Sequence, residues 1–256
     1  MIREMAENPN TQQAIAPGRE LLVDPAGRFA IYFSPGTSPH SATVQRVRLT
    51  PETVVPVLAE IRAQLRERGR EGAEWELGDS TQPPDLIQRL LALGVRRDEE
   101  EPLAIGMVLR GVPTWELPAG VTARPVASAA ELGAARQVQN QAFGIPRPLD
   151  EFQIERDFAR EGLEGATFVA LINDVPVAAA YAAYTPHALL LFGGATLEPS
   201  RGRGAYRALV AARAREAAKR GTPVLVTHAG HLSRPILERL GFEAVARIDR
   251  MLDVLA

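Results

Sequence analysis

The sequence predicts an α/β protein whose mixed sheet is flanked by helices. Short apolar runs rich in Val, Leu, Ile and Ala alternate along the chain with segments of helical periodicity. A glycine-rich loop follows one of the apolar strands and opens a helix, which is typical of α/β binding sites. The length of 256 residues fits one large domain or two modest ones.

Composition excludes several classes of function. A hydrophobic content of 46% and a charged content of 23% are ordinary for a globular protein. The net charge of −2 and a pI near 6.1 argue against nucleic acid as the main partner. The absence of cysteine excludes disulfides, Cys-ligated zinc and thiolate catalysis, and no apolar run reaches the roughly 18 residues of a membrane span. We expect a flexible polar tail over residues 1–19, no signal sequence and a cytoplasmic location.

The first half is predicted to contain four strands and two helices. The strand candidates are RFAIYFS, SATVQRVRL, AEWEL and LAIGMVLRG. Thr50 is expected to cap the first helix, with Pro51 at the first helical position and Gly69 as the stop. The second helix, PPDLIQRLLALG, ends at Gly94, and the segment GVPTWELPAGV has the low periodicity of a linker.

The second half is predicted to begin with the strand VTARPV. Ser128 followed by Glu131 forms a capping box at the start of a helix, IPRP breaks it, and LDEFQIERDFAREGL makes a second helix. Three strands follow, ATFVALIND, VPVAAAYAAYTP and ALLLFGGATL, and Asn173-Asp174 between the first two predicts a hairpin turn. The last elements are a helix that ends at Gly221, the strand PVLVTHAG, the helix SRPILERLG and the strand FEAVARIDRML.

The loop after the strand ALLLFGGATL has the chemistry to hold a diphosphate. Gly202 and Gly204 leave backbone N–H groups uncovered and tolerate the positive φ of a tight loop. The first turn of the following helix adds N–H donors without intrahelical partners and the positive end of the macrodipole. Arg201, Arg203 and Arg207 place cations around the same point.

The two halves of the chain resemble each other, which favours duplication of one α/β unit over a chance similarity. EIRAQLRERGREGAEWELG parallels ARAREAAKRGTPVLVTHAG, and DLIQRLLALGV parallels RPILERLGFEA. Where the second half reads PSRGRGAY, the first reads LTPETVV, which has no glycine and carries Glu52. We therefore expect the first copy to shape the structure or the substrate site and to bind no diphosphate.

Three features of the second half resemble the GCN5-related N-acetyltransferase (GNAT) superfamily. The segment Arg201–Ala205 is similar to its Arg/Gln-x-x-Gly-x-Gly/Ala acyl-CoA loop, and residues 236–242 are similar to its downstream signature ending Leu-Gly-Phe. The order of predicted elements matches as well. The resemblance covers residues 121–256 as a GNAT acetyltransferase domain and implies a centrally splayed sheet. Residues 20–118 resemble a truncated, degenerate GNAT-like copy, so the chain looks like a tandem GNAT.

The resemblance implies an acetyl-CoA-dependent N-acetyltransferase that acts on an amine of a small molecule or protein, with no nucleic-acid or membrane partner. It implies that Ala195, Thr196 and Leu197 lie along the pantetheine arm, near the segment that contains Ser233, a residue that helix capping alone also explains. The cradle for the diphosphate would consist of Arg201, Gly202, Arg203, Gly204, Ala205 and Tyr206. The sequence departs from the family pattern at Tyr206, where a small residue is usual, and at Leu237, where many members carry a tyrosine acid.

Acyl transfer also needs a base that takes a proton from the amine, and an acid is useful for the departing thiolate. The candidates are Glu198, Tyr181, Tyr184, His187, His228 and His231. Each has a structural alternative: a solvated turn carboxylate, a packed tyrosine or a polar loop histidine. Tyr181 and Tyr184 should lie on opposite faces of their strand. The histidines lack the spacing of a metal site, so no metal is expected.

Two other functions stay open at this point. The first is a CoA-binding sensor or scaffold without turnover, which the missing tyrosine and the degenerate first copy favour. The second is an RNA-binding protein with an RGRG segment, which the pI and the aromatic content of 5% disfavour. The sequence fixes neither the amine acceptor nor the oligomeric state.

Overall fold

The computed structural model describes residues 1–145 and 148–255. The helices are α1 Ile2–Glu7, α2 Val54–Glu67, α3 Leu86–Ala92, α4 Ala129–Phe143, α5 Glu151–Phe158, α6 Ala205–Lys219 and α7 Arg234–Arg239. The strands are β1 Glu20–Val23, β2 Ala30–Phe33, β3 Ala42–Gln45, β4 Gly72–Gly78, β5 Arg96–Arg97, β6 Leu103–Arg110, β7 Val121–Pro125, β8 Gly165–Ile172, β9 Val175–Tyr184, β10 Leu189–Thr196, β11 Val224–Ala229 and β12 Glu243–Val254. The predicted break IPRP includes Pro146 and Arg147, which lie outside the described residues.

The chain divides into two compact units. Unit 1 consists of residues 1–107, 228–239 and 243–255, and unit 2 of residues 108–227 and 240–242. These ranges differ from the sequence-based domains 20–118 and 121–256 mainly because β12, at the end of the chain, pairs with β4 and β5 in unit 1. The assignment of the two sequence ranges to two copies of one duplicated unit stays a prediction.

The sheet of unit 1 is mixed. Strands β1, β2 and β3 pair antiparallel in that order, β3 pairs parallel with β4, and β4 pairs antiparallel with β12. Helix α2 connects the parallel strands β3 and β4. Its apolar face, with Ile61 and Leu65, is fully buried in one core with Trp75 of β4 and Leu90 of α3. The helices and the sheet of this unit therefore share one hydrophobic core.

The sheet of unit 2 is also mixed and has helices on both faces. Strands β7 to β10 pair antiparallel in sequence order, and β10 pairs parallel with β11 after the crossover helix α6. On one face, Leu132 of α4 and Ile154 of α5 pack against Val169 and Ala179 of the sheet. Because side chains alternate along a strand, the remaining sheet residues face α6, which packs across β7 to β10. The predicted fold class, a mixed α/β sheet flanked by helices, is confirmed.

Several local signals are confirmed at the atomic level. The Ser128 hydroxyl accepts a hydrogen bond from the Glu131 N–H at 3.2 Å, which caps α4 as the capping box predicts. Helix α4 ends at Gly144, whose φ is +66°. Asn173 and Asp174 have φ values of 50° and 64°, the geometry of a hairpin turn with two left-handed residues.

The start of α2 differs from the prediction. The helix begins at Val54 with Thr53 as the N-cap, and residues 51–53 form a turn instead of the predicted first helical residues. The cause is Pro56, whose ring would clash with a carbonyl and whose missing N–H would interrupt a helix begun at Pro51. A start at Val54 places Pro56 in the first turn, where no intrahelical N–H bond is required.

The prediction of a flexible tail over residues 1–19 is wrong for its first part. Residues 2–7 form α1, and Met5 and Ala6 are 1% and 0% exposed. The helix packs against β4 and β12, and the Asn8 side chain beyond it accepts a hydrogen bond from the Arg46 N–H at 2.9 Å. Within the described residues, no helix combines the length and the apolar character needed to cross a bilayer.

The docking of α1 leads to a stability prediction. Met5→Ala removes a fully buried side chain, so we expect the free energy of unfolding of unit 1 to fall by about 2 kcal/mol. Ile15→Ala is the matched control, because Ile15 is 37% exposed and its loss should change stability by less than about 0.5 kcal/mol. Urea unfolding of both variants measures the difference. Equal stabilities would show that α1 is not part of the folded core.

Candidate functional site

The parallel pair β10 and β11 separates partway along β10. The ladder joins Leu189, Leu190 and Leu191 to residues 225–227 and stops there, and the Thr227 hydroxyl donates to the Leu191 carbonyl at 3.2 Å. The register of β10 against β9 then shifts between Phe192 and Ala195, and Gly193 adopts a φ of +58°. This is a β-bulge, and it turns the end of β10 away from its parallel neighbour. The splayed sheet that the family resemblance implied is therefore present within unit 2.

Backbone hydrogen bonds decide which atoms of β10 face this gap. The Leu197 N–H donates to the Val177 carbonyl of β9 at 2.9 Å. Because backbone groups alternate between the two edges of a strand, the N–H groups of Ala195 and Leu197 point to β9, and that of Thr196 points to the gap. Of the three residues predicted to lie along a pantetheine arm, Thr196 thus offers its amide to a ligand, and Ala195 and Leu197 use theirs in the sheet.

The Arg/Gly loop forms the start of α6 in the way the sequence predicts. Gly202 and Gly204 have φ values of +74° and +89°, and Gly204 is the N-cap of the helix. A glycine N-cap brings no side-chain cap, so the first-turn N–H groups of this 15-residue helix keep their donor capacity. Arg201 and Arg203 are exposed beside them. An uncapped helix start with flanking cations is a site for a phosphate group.

Two contacts join this loop to its surroundings. The Arg201 Nε donates to the Thr196 carbonyl at 3.3 Å, which ties the loop to the end of β10. A Cβ atom on Gly204 would lie 2.8 Å from the Cδ of Pro118, so the predicted linker packs against the loop at this point. Gly204 is therefore required by packing as well as by its positive φ.

Tyr206, the residue that departs from the family pattern, is directed away from the loop. Its ring lies against β10, where a Cβ atom on Gly194 would be only 2.9 Å from the Tyr206 Cε2. Glycine at position 194 thus makes the space that a tyrosine at position 206 fills. The loop backbone stays uncovered, as a phosphate cradle requires.

The acid and base candidates of unit 2 occupy different surroundings. Tyr181 pairs with Phe192, the last residue before the bulge, and lies on the α4 face of the sheet. Glu198 is exposed in the turn after β10. His187 is exposed in the turn between β9 and β10, where its N–H donates to the Thr185 hydroxyl at 3.3 Å. Tyr181 and Glu198 are the candidates that adjoin the bulge and the loop.

Tyr184 lies at the other end of β9, opposite Leu189 and about 10 Å along the strand from the bulge. The Arg220 guanidinium stacks over its ring at 3.3 Å from the centroid. Burial raises the pKa of the Tyr184 phenol, and the Arg220 charge only partly offsets this. These contacts assign Tyr184 to packing and do not support the predicted catalytic role.

His228, His231 and Ser233 belong to unit 1. His228 lies in a buried polar cluster: its Nε2 is 2.9 Å from the Ala6 carbonyl oxygen and its Nδ1 is 3.5 Å from a Glu76 carboxylate oxygen. The carboxylate of Glu76 also accepts hydrogen bonds from the side chains of Gln45 and Arg250. Burial raises the pKa of Glu76, but His228, Arg250 and Gln45 outweigh this and hold it at about 2.

These contacts give His228 a structural role in unit 1. His231 is exposed in the turn that follows β11. Ser233 directly precedes α7, but its hydroxyl donates to the Gly230 carbonyl at 3.4 Å. Leu237, at the family's tyrosine position, is apolar and 1% exposed.

The sequence analysis missed Gln139 of α4. Its side-chain amide donates to the Gly193 carbonyl at 2.7 Å and so holds the bulge from the α4 face. A long-range side-chain to backbone bond of this kind leaves no local signal, and a glutamine in mid-helix has the pattern of an ordinary surface residue. Its position makes Gln139 a further element of the site.

In unit 1, the strand edge that follows β3 pairs with another segment of the same chain. After β3, the Val47 carbonyl accepts from the Gln82 N–H at 3.1 Å, and the Leu49 N–H donates to the Gln82 carbonyl at 3.1 Å. At the start of α2, hydrogen bonds from the Thr50 hydroxyl and from its own N–H lower the pKa of the Glu52 carboxyl. Gln82 thus pairs with the extension of β3, and the Glu52 carboxylate lies just before the start of α2.

Within the described residues, no group of three or more His, Asp and Glu side chains is arranged to hold a metal ion. No family model matches the chain, and no curated protein sequence matches it. The comparisons with solved structures give clear matches. A GCN5-related N-acetyltransferase from Kribbella flavida superimposes with a TM-score of 0.74 at 21% identity, over 100% of this chain and 96% of that one.

Two further structures extend this result. A tandem GNAT protein from the clavulanic acid biosynthesis pathway has a TM-score of 0.63 at 16% identity, over 100% of this chain and 94% of its own. A GCN5-related N-acetyltransferase from Sphaerobacter thermophilus has a TM-score of 0.66 at 17% identity, over 93% and 81%. The resemblance carried by the Arg/Gly loop and the Leu-Gly-Phe signature is therefore confirmed at the level of the fold, which is that of the GNAT proteins, including a tandem member.

Proposed function

We propose that the chain is an N-acetyltransferase that moves an acetyl group from acetyl-CoA to a primary amine of a small molecule or a protein. One observation carries the proposal: unit 2 places an uncapped, cation-flanked helix start directly after a strand edge that has separated from its neighbour. A diphosphate fits the first feature and an extended, amide-bearing arm fits the second. The similarity of the fold to GNAT structures supports the same reading.

The residues of unit 2 divide the binding task between them. The N–H groups of the loop and of the first turn of α6, with Arg201 and Arg203, would hold the diphosphate. The Thr196 amide, which points into the gap, would bind the arm or polarise the thioester carbonyl. Acetyl-CoA supplies an activated acyl group, so the protein needs to position it and to exclude competing orientations.

The amine must lose a proton to attack, and unit 2 offers two groups for this. Glu198 lies at the end of β10 beside the loop, and Tyr181 lies one ladder step before the bulge. Either one could act through a water molecule. In the step itself, the amine nitrogen bonds to the carbonyl carbon, the carbon–sulfur bond breaks, and the sulfur leaves with the electron pair.

A second function, binding of an acyl-CoA for regulation or scaffolding without turnover, is favoured by one observation. Leu237 at the usual acid position is buried and cannot donate a proton. Release of free thiol from acetyl-CoA in the presence of a panel of amines separates the two functions, because both of them bind the cofactor and only the transferase consumes it.

The proposed cradle predicts a charge effect on affinity. Arg203→Glu should weaken acetyl-CoA binding at least tenfold, because it replaces a charge-assisted contact to phosphate, worth about 1.5–3 kcal/mol, by repulsion. Arg215→Glu is the control, since Arg215 is an exposed arginine farther along the same helix. Isothermal calorimetry measures both variants. Equal affinity in wild type and Arg203→Glu would rule out this loop as the diphosphate site.

The filled edge of unit 1 predicts the binding stoichiometry. Because Gln82 pairs with the extension of β3 and the Glu52 carboxylate before α2 would repel a phosphate, we expect one acetyl-CoA per chain at saturation. Calorimetric stoichiometry, checked by quantifying the cofactor released from a denatured saturated sample, tests this. A value near two would mean that unit 1 binds CoA as well.

The site geometry also predicts a pattern among catalytic variants. Glu198→Gln or Tyr181→Phe should lower turnover by about 10²–10⁴ while acetyl-CoA affinity is kept. Tyr184→Phe and His231→Ala should change turnover less than twofold, and His228→Ala should act through the stability of unit 1. Steady-state rates, calorimetric affinity and thermal unfolding are measured for all five. Wild-type turnover in both Glu198→Gln and Tyr181→Phe would show that the base lies elsewhere.

A further inference from the structure

Tyr206 reaches the bulge of β10 from the α6 face of the sheet. A Cβ atom on Gly194 would lie 2.9 Å from its Cε2 and 3.6 Å from its hydroxyl oxygen. Gly194 itself is exposed, and it lies beyond Leu191, where the ladder to β11 has already ended. The Tyr206 hydroxyl is therefore placed beside the gap, on the opposite face of the sheet from Tyr181.

Behind Tyr206 lies an arginine in an unusual environment. Arg213, two helical turns farther along α6, is 1% exposed. Its Nε donates to the Leu209 carbonyl at 3.1 Å, its Nη2 has no hydrogen-bond partner, and no described carboxylate forms an ion pair with it. Burial lowers the pKa of Arg213, and the neighbouring Tyr206 phenol offsets part of that effect. Burying a cation without an anion costs free energy, which favours a functional role for Arg213.

Tyr206 and Arg213 have different hydrogen-bonding capacities. A guanidinium group only donates, so Arg213 interacts with the phenol oxygen and leaves the hydroxyl hydrogen of Tyr206 unused. Arg213 is the charged group that faces Tyr206 from α6, and the contact from β10 is Gly194, which has no side chain. The hydroxyl thus retains a proton that it can donate toward the gap.

We propose that Tyr206 donates this proton to the departing thiolate of CoA and so replaces the acid that Leu237 cannot be. The inference rests on the proposed acetyltransferase function. As the carbon–sulfur bond breaks, the sulfur takes the electron pair and the Tyr206 proton, which gives the free thiol. The tyrosinate that remains lies beside the Arg213 cation and regains a proton from solvent, which receives the proton lost by the amine.

Tyr206→Phe is the direct test, because it keeps the ring against Gly194 and removes only the hydroxyl. Thiol release is measured with a panel of amines and with water as the acceptor, across a range of pH. We expect kcat to fall at least tenfold at each pH and acetyl-CoA Kd to stay within twofold. Tyr32→Phe is the control, since it removes a phenol from unit 1.

A second variant separates chemistry from packing. Gly194→Ala pushes the Tyr206 ring away from the gap, so it should lower kcat in the wild-type background and add nothing further in the Tyr206→Phe background. Additive losses, an unchanged kcat in Tyr206→Phe, or equal changes in kcat and Kd would each overturn the role of Tyr206 while leaving the transferase intact. A wild type that binds acetyl-CoA but releases no thiol to any amine or to water would instead overturn the transferase, and the inference with it.

Discussion

The separation of β10 from β11 beyond Leu191 is the constraint on which the site depends. Gly193, at a φ of +58°, begins a bulge that ends the parallel ladder and leaves a strand edge with an unpaired amide at Thr196. Unpaired backbone groups at an edge need water, another strand or a ligand. The chain then turns directly into the uncapped start of α6. One irregular strand therefore leaves both a free strand edge and, after a short turn, an uncapped helix start.

Unit 1 also contains two parallel strands joined by a helix, but residues of its own chain pair with the edge of the first strand. Its β3 and β4 are also parallel and also flank a helix, but Gln82 bonds to the extension of β3 on both sides of Arg48. A carboxylate from Glu52 stands at the start of α2. The two units thus differ in the contacts that follow their first parallel strand.

The sequence allowed the prediction of features that depend on local chemistry. Ser128 with Glu131, the Asn173-Asp174 turn and the positive φ of Gly202 and Gly204 each follow from a few adjacent residues. Helix α1 could not be predicted in this way, because six residues do not form a stable helix alone and only burial against β4 and β12 maintains it. The start of α2 was misplaced because the effect of Pro56 on a helix depends on where that helix begins.

The surroundings of the candidate catalytic residues were the least predictable part, because they depend on contacts between residues far apart in the chain. His228 follows an apolar strand, as a site residue would, but its ring nitrogens face the carbonyl of Ala6 and the carboxylate of Glu76, residues more than 150 positions away in the chain. Tyr206 is the opposite case, because the sequence alone shows it only as a departure from a glycine-rich motif. The structure shows that the absence of a side chain at Gly194 makes room for the Tyr206 ring on the helix. The loop backbone therefore stays uncovered, and the Tyr206 hydroxyl lies beside the gap.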